Sequence, residues 1–343
     1  MAREERGRAS GSESDSFQAI DGIAIGHAGG DSTGVTVILC PDGAVAGVDL
    51  RGGATGTRGI DPCRPGHLVE RVHAICLAGG SAFGFAAAGG VIRFLEERGV
   101  GFPTSAGRVP IVPSAILYDL GIGDASERPD EAMGYAACAA AGPAAPAEGS
   151  VGAGTGATVG KLRGRAHSTK GGIGLATARR GRLVVAALAA VNAFGDVVDP
   201  ATGAIVAGAR ADGGRFLGSE AAMANGLLPL GFGAGHPSEP STTLAVVMTN
   251  ARLDREAACR VAAAGSTGMC RAIRPVHARF DGDVVFALAT GAEAASLDQV
   301  AALAAGLVAE AILRGVTEAS GKHGIPAAAE FPRAPRPRGR DPR

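Results

Sequence analysis

The chain has 343 residues, long enough for one large core, and its 46% hydrophobic content includes no tryptophan and only two tyrosines beside 55 glycines, so Ala, Val, Leu and Ile must build the interior. Lys plus Arg and Asp plus Glu both number 33, which leaves no global field to draw nucleic acid or an anionic membrane. From six scattered cysteines with no C-x-x-C pair, no histidine at metal-ligand spacing, a charged N-terminus and no convincing apolar span, the expectation is a cytoplasmic protein that acts on small molecules or peptides, without nucleic acid, membrane or metal.

Residues 1 to about 17 are expected to be a disordered tail. GVTVILC, PDG and AVAGVDL then suggest a hairpin, because an apolar run breaks at a turn tripeptide and resumes. HAICLAGG is a buried strand feeding a helix in which Phe83, Ala87, Val91 and Phe94 or Leu95 recur at helical spacing, with Ser81 as its cap and Gly99 at its end.

The glycine-rich run Ser150 to Leu162 fits neither phosphate-binding pattern. A phosphate loop needs glycine at position 155 and Ser or Thr at 162, where the chain has Thr155 and Leu162, and the dinucleotide spacing also fails. By pattern alone, Lys161 is a solvated lysine on a connector.

LVVAALAAVNAFGDVVDPATGAIVAGA gives strand, turn and strand, and residues 209–241 form a long, breaker-rich exposed connection. That connection delivers the chain to TTLAVVMTN, a strand. A helix follows with Asp254 and Glu256 in its first turn, then the strand DVVFALATG and a last helix opened by a capping box at Ser296 and Gln299. Residues 331–343 form a Pro/Arg tail.

No G-x-S-x-G nucleophile motif is present, and none of His27, His67, His73, His167, His236, His277 or His323 has the context of a base. A chain without such a base can still activate Thr242, if the bond after Ser241 is cut. The freed α-amine, with a pKa of roughly 7.7–8.0, then accepts the hydroxyl proton. Pattern alone also allows Thr242 and Thr243 to be ordinary β-branched strand residues, and Asp281-Gly282-Asp283 an ordinary turn.

STTLAVVMTNARLDREAACRVA followed by FDGDVVFALATG resembles the start of the small subunit in the P1 peptidase family, the L-aminopeptidase/D-esterase and β-aminopeptidase group. GVTVILCPDGAVAGVDLRGGATGT, HAICLAGGSAFGFAAAGGV, VPIVPSAILYDLG, GAGTGATVGKLRG and LAAVNAFGDVVDPATG agree in the same order, so the resemblance covers about residues 18–320. Two threonines and an Asp-Gly-Asp pair make the chain most similar to the nylon-oligomer hydrolases of that family.

The resemblance implies an α+β fold, a four-layer αββα sandwich of the amidase and ornithine-acetyltransferase-like N-terminal-nucleophile type. It further implies a single catalytic domain over 18–330 that cuts itself between Ser241 and Thr242, into chains 1–241 and 242–343. Thr242 matches the nucleophile and Lys161 the lysine that eases its deprotonation. Asn192 matches the oxyanion donor, Tyr118 a tyrosine lining the site, and Asp281 and Asp283 two polar positions at the nucleophile and amino group. Ser241 stands where the nylon-hydrolase subgroup has Asn.

The resemblance requires no cofactor. It gives short peptides, amino-acid amides or 6-aminohexanoate oligomers as substrates, and self-association of cleaved pairs into a homotetramer. Two rivals are an acyltransferase of related fold and an uncleaved, catalytically silent binding protein.

Overall fold

The computed structural model describes residues 20–228 and 240–331. The N-terminal tail, all but the first residue of the Pro/Arg tail, and residues 229–239 of the long connection lie outside them.

Eight strands carry the main sheet: β1 (Ala24–Gly29), β2 (Gly34–Leu50), β3 (Arg71–Ala78), β4 (Ser114–Ile116), β5 (Ile173–Arg180), β6 (Leu183–Asn192), β7 (Thr242–Ala251) and β8 (Val284–Glu293). They hydrogen-bond in the order β5-β6-β7-β8-β2-β3-β4, with β1 paired to β2 and the short strand Thr57–Arg58 on the β4 edge. The helices are α1 (Ala87–Glu96), α2 (Glu131–Ala139), α3 (Ser219–Ala224), α4 (Arg255–Ala272) and α5 (Leu297–Thr317).

Strand alternation sorts the apolar residues into three layers. Val185, Ala187, Ala245, Val247, Val285 and Ala287 face α4 and α5, where they pack with Val261, Val308 and Ile312. Their neighbours Ala186, Leu188, Leu244, Val246, Val284 and Phe286 point the other way, against Ile38, Ala46, Ile75 and Leu77 from β2 and β3. Val35, Val37, Ala74 and Cys76, on the far face of those two strands, pack under α1 and α2 through Val91, Leu95 and Ala137. Helices, sheet, sheet and helices therefore stack as the expected αββα sandwich. β2 joins its two sheets, because residues 34–39 pair with β1 and 45–50 with β8.

The small-residue composition has a packing role. A Cβ on Gly174 of β5 would stand 2.0 Å from the Ala311 carbonyl oxygen of α5, so that helix lies directly on the sheet backbone. By length and composition α5 could cross a bilayer, but Val300, Ala304, Val308 and Ile312 are buried in the core beneath it.

Three expectations are corrected. Pro41-Asp42-Gly43 is a bulge within the single strand β2, not a hairpin turn. Leu39 pairs with Ala74 and Ala44 with Val72, so β3 continues past the interruption and the extra residues are extruded at Gly43, which has φ +79°. Neither Ser81 nor Ser296 caps its helix through the side chain; Ser81 instead has φ +55° in a 3-10 turn before α1. Residues 209–228 are also not a bare connection. Buried Asp196 accepts hydrogen bonds from Ala209 N (2.8 Å), Ser219 N (2.5 Å) and Ser219 Oγ (2.7 Å), which ties α3 to the body.

Candidate active site

Thr242 is the first residue of β7 and Asn192 the last of β6, and the antiparallel register sets them opposite one another. Opposed residues in such a pair share a face. Here that face looks into the layer between the two sheets, the one filled by Leu188, Ala190, Leu244 and Val246. Both side chains are buried, with Thr242 2% and Asn192 0% exposed.

Lys161 reaches the same point from the glycine-rich run. Its Nζ donates to the Asn192 carbonyl oxygen (3.0 Å) and to Asn192 Oδ1 (2.8 Å). Thr158 N also donates to Oδ1 (3.0 Å), and Asn192 Nδ2 donates to the Tyr118 carbonyl oxygen (3.0 Å). The amide of Asn192 is thus fixed by three partners, and Tyr118 meets it through its backbone. Lys161 is 6% exposed and is no solvated lysine on a connector.

The opposite wall is the turn Asp281-Gly282-Asp283 before β8. The Ser241 carbonyl oxygen accepts from Gly282 N (2.7 Å) and from the Thr242 hydroxyl (2.6 Å), while Ser241 N donates to the Phe280 carbonyl oxygen (3.0 Å). A Cβ on Gly282 would stand 2.4 Å from the Ala54 carbonyl oxygen and 2.9 Å from Thr242 Oγ1, so only glycine fits between that loop and Thr242. Asp281 accepts from Phe194 N (3.1 Å) and Ala278 N (2.9 Å), and Asp283 Oδ1 accepts from Thr243 N (2.7 Å).

Burial, with the neighbouring Asp283 charge, pushes the Asp281 carboxyl up to about 7, against the lowering pull of its two backbone donors and of Lys161. The charge on Asp283 thus adds to the cost of ionising Asp281.

An apolar cluster holds these pieces in place. Leu162, Phe194, Ala209 and Phe280 pack together, with the Phe194 and Phe280 rings 4.8 Å apart. Leu162 follows Lys161, Phe194 lies two residues after Asn192, and Phe280 precedes Asp281, so one contact set locks the three segments that carry the polar groups. The result is a hydroxyl, a carbonyl, a cation and two carboxylates converging where little water enters. That inventory suits acyl transfer through an activated hydroxyl. Among the described residues no group of three or more His, Cys, Asp or Glu is arranged to hold a metal ion.

The structure thus brings Lys161, Asn192, Ser241, Thr242, Asp281, Asp283 and the Tyr118 backbone to one place. It adds three groups that pattern reading missed. Gly282 supplies its N–H to the Ser241 carbonyl. Lys170, fully buried, donates to the carbonyl oxygens of Gly154 (3.0 Å), Ala157 (2.9 Å) and Gly171 (2.8 Å), and so staples the run that carries Lys161. His277 Nδ1 lies 2.8 Å from Asp283 Oδ2.

This fold and site define a hydrolase of the N-terminal-nucleophile fold class. The chain belongs to peptidase family S58, whose family model matches residues 15–328. It is similar to an uncharacterised aminopeptidase of Mycobacterium tuberculosis (strain ATCC 25618 / H37Rv), with 42% identity covering 91% of this chain and 96% of the relative. It is also similar to the 6-aminohexanoate-oligomer endohydrolase of Kocuria sp. (strain KY2), with 33% identity covering 78% of this chain and 73% of that one. Among solved structures, a Burkholderia sp. beta-aminopeptidase superposes with a TM-score of 0.67 at 22% identity, over 92% of both chains. The L-aminopeptidase D-Ala-esterase/amidase of Ochrobactrum anthropi, described as a variant of the Ntn hydrolase fold, gives 0.65 at 19% identity, over 88% of this chain and 86% of that one.

Proposed function

We propose that this chain is an amidohydrolase that cuts its own Ser241–Thr242 bond and then uses Thr242 as an N-terminal nucleophile. The observation that carries the reading is the Ser241 carbonyl, which accepts from both the Thr242 hydroxyl (2.6 Å) and Gly282 N (2.7 Å). Thr242 Oγ1 attacks the Ser241 carbonyl carbon while Gly282 N–H holds the developing oxyanion. The C–N bond breaks, the nitrogen takes the hydroxyl proton, and water hydrolyses the resulting ester. Chains 1–241 and 242–343 remain.

The new α-amine is the base that the site otherwise lacks. It takes the Thr242 hydroxyl proton as Oγ1 attacks the substrate carbonyl, passes it to the leaving amine, and then activates the water that deacylates the enzyme. Lys161 lowers the cost of the alkoxide, and Asn192, held beside it, is an oxyanion donor once substrate displaces its Tyr118 contact. Asp281 and Asp283 offer negative charge to the Thr242 ammonium or to a substrate ammonium. Tyr118 forms part of the wall. No step calls for a cofactor.

Relatives named aminopeptidase and 6-aminohexanoate-oligomer endohydrolase support short peptides, amino-acid amides and 6-aminohexanoate oligomers as substrates. Six free cysteines suit a cytoplasmic setting, and assembly of cleaved pairs into a homotetramer belongs to the same reading. The test is amine release from L-amino-acid p-nitroanilides and from linear 6-aminohexanoate oligomers. The protein should turn over at least one of these, and Thr242→Ala none. Full activity in Thr242→Ala would end the reading.

A further inference from the structure

His277 lies in the loop between α4 and the Asp281–Asp283 turn, and its ring bridges two elements. Nδ1 is 2.8 Å from Asp283 Oδ2, and Nε2 is 3.5 Å from Cys270 Sγ in the last turn of α4. Asp283 uses its other oxygen, Oδ1, to accept Thr243 N (2.7 Å). A continuous path therefore runs from the Cys270 thiol through the imidazole and the carboxylate to the amide beside Thr242.

We infer that His277 is a positioning residue for the nucleophile, fixing the Asp283 carboxylate so that it holds the Thr243 amide and, with it, the Thr242 end of β7. The inference rests on the Thr242 reading for its kinetic consequence but not for its geometry.

A neutral imidazole has one donor and one acceptor nitrogen. The carboxylate can only accept, which assigns the proton to Nδ1 and leaves Nε2 to accept from the thiol. Although the Cys270 residue is exposed, partial desolvation of its thiol raises the pKa above its ordinary value and so favours the S–H form that this pattern needs. His277 also has φ +54°, a left-handed conformation that residues other than glycine adopt infrequently. Contacts on both ring nitrogens account for its persistence there. The titratable and charged groups near it are Asp283 and Asp281 of the turn, the neutral Cys270 thiol of α4, and Arg51 after β2, whose backbone N–H donates to the Asp283 carbonyl oxygen.

The two carboxylates now differ. Asp283 has the His277 imidazole as a side-chain partner, whereas Asp281 accepts from the backbone N–H groups of Phe194 and Ala278 and feels the Lys161 charge. Removing the imidazole leaves the pair sharing its charge with one donor fewer, which favours protonation of the pair. The acid side of the maturation profile then moves to higher pH.

Two variants separate positioning from bulk. His277→Gly removes the ring and tolerates positive φ, and His277→Asn keeps a neutral N–H where Nδ1 stood and is also at ease at positive φ. The half-time of Ser241–Thr242 cleavage is followed from pH 5 to 9 alongside thermal unfolding. His277→Gly should mature roughly tenfold or more slowly near pH 6, with its acid limb displaced upward, and His277→Asn should return to within about threefold of the parent. A His277→Gly profile that coincides with the parent, or equal slowing of both variants with an unmoved limb, overturns the inference.

If the parent chain does not cleave, the Thr242 reading fails separately and the inference is read from the Thr243 amide proton by NMR. That resonance should move upfield in His277→Gly and not in His277→Asn. No movement in either overturns it.

Discussion

Asn192 and Thr242 face each other across β6 and β7, the last residue of one strand opposite the first of the next, with Lys161 clasping the asparagine through both its backbone and its side-chain oxygen. Sheet register therefore sets the distance between Thr242 and Asn192. Loop sequence around them can vary without moving the two residues apart.

Lys161→Met should be strongly damaging. It removes the cation held on Asn192, opposite Thr242, and leaves two buried Asn192 acceptors with one donor fewer. The expected loss is roughly 10²–10³-fold in both maturation and turnover, in line with loss of a preorganised electrostatic group. Single-turnover rates with an amino-acid p-nitroanilide check it, and a loss under tenfold would remove Lys161 from the machinery.

Gly282→Ala should stop maturation while leaving a folded chain. The added methyl meets the Ala54 carbonyl and Thr242 Oγ1 and turns the Gly282 N–H away from Ser241. A denaturing gel followed over days shows the outcome. Cleavage at the parental rate would mean that this N–H is no oxyanion donor.

The pH dependence of stability has a definite sign at Asp281. Its folded pKa is raised from 3.8 to about 7, so between those values the native state keeps a proton that the unfolded chain has lost. Stability from this group is thus full below about pH 4 and falls as pH rises to about 7, by at most ~1.4 kcal/mol per pH unit. In the Thr242→Ala background, Asp281→Asn should flatten that fall relative to the chain with Asp281. Denaturant midpoints at closely spaced pH values measure it, and parallel curves would contradict the assignment.

Lys170→Met should destabilise the protein by about 3–5 kcal/mol, because three buried carbonyls lose their donor. Activity should fall as well, since Gly154 and Ala157 belong to the run that aims Thr158 and Lys161 at Asn192. Urea unfolding and turnover at saturating substrate test the two parts independently.

Much of the fold was legible because its long elements have clean periods. α4, α5, β6, β7 and β8 stand where alternation and helical spacing put them. The interruption at Pro41-Asp42-Gly43 was misread because a turn tripeptide looks the same in a hairpin and in a bulge, and only the uninterrupted partner β3 distinguishes them. Lys161, Asn192, Asp281 and Asp283 came from family resemblance and not from pattern, since nothing local marks a lysine among glycines as buried.

His277, Gly282 and Lys170 left weaker traces. His277 is six residues from the carboxylate it orients, Gly282 acts through a backbone group that any residue type has, and the partners of Lys170 are backbone carbonyls with no side-chain signature.

The central claim is that Thr242 becomes an N-terminus, and intact-mass measurement under denaturing conditions with N-terminal sequencing addresses it directly. The account predicts two chains from the 33.8 kDa precursor, the smaller beginning Thr-Thr-Leu-Ala-Val, and an uncut Thr242→Ala chain. A parent protein that stays a single active chain of full mass would contradict it.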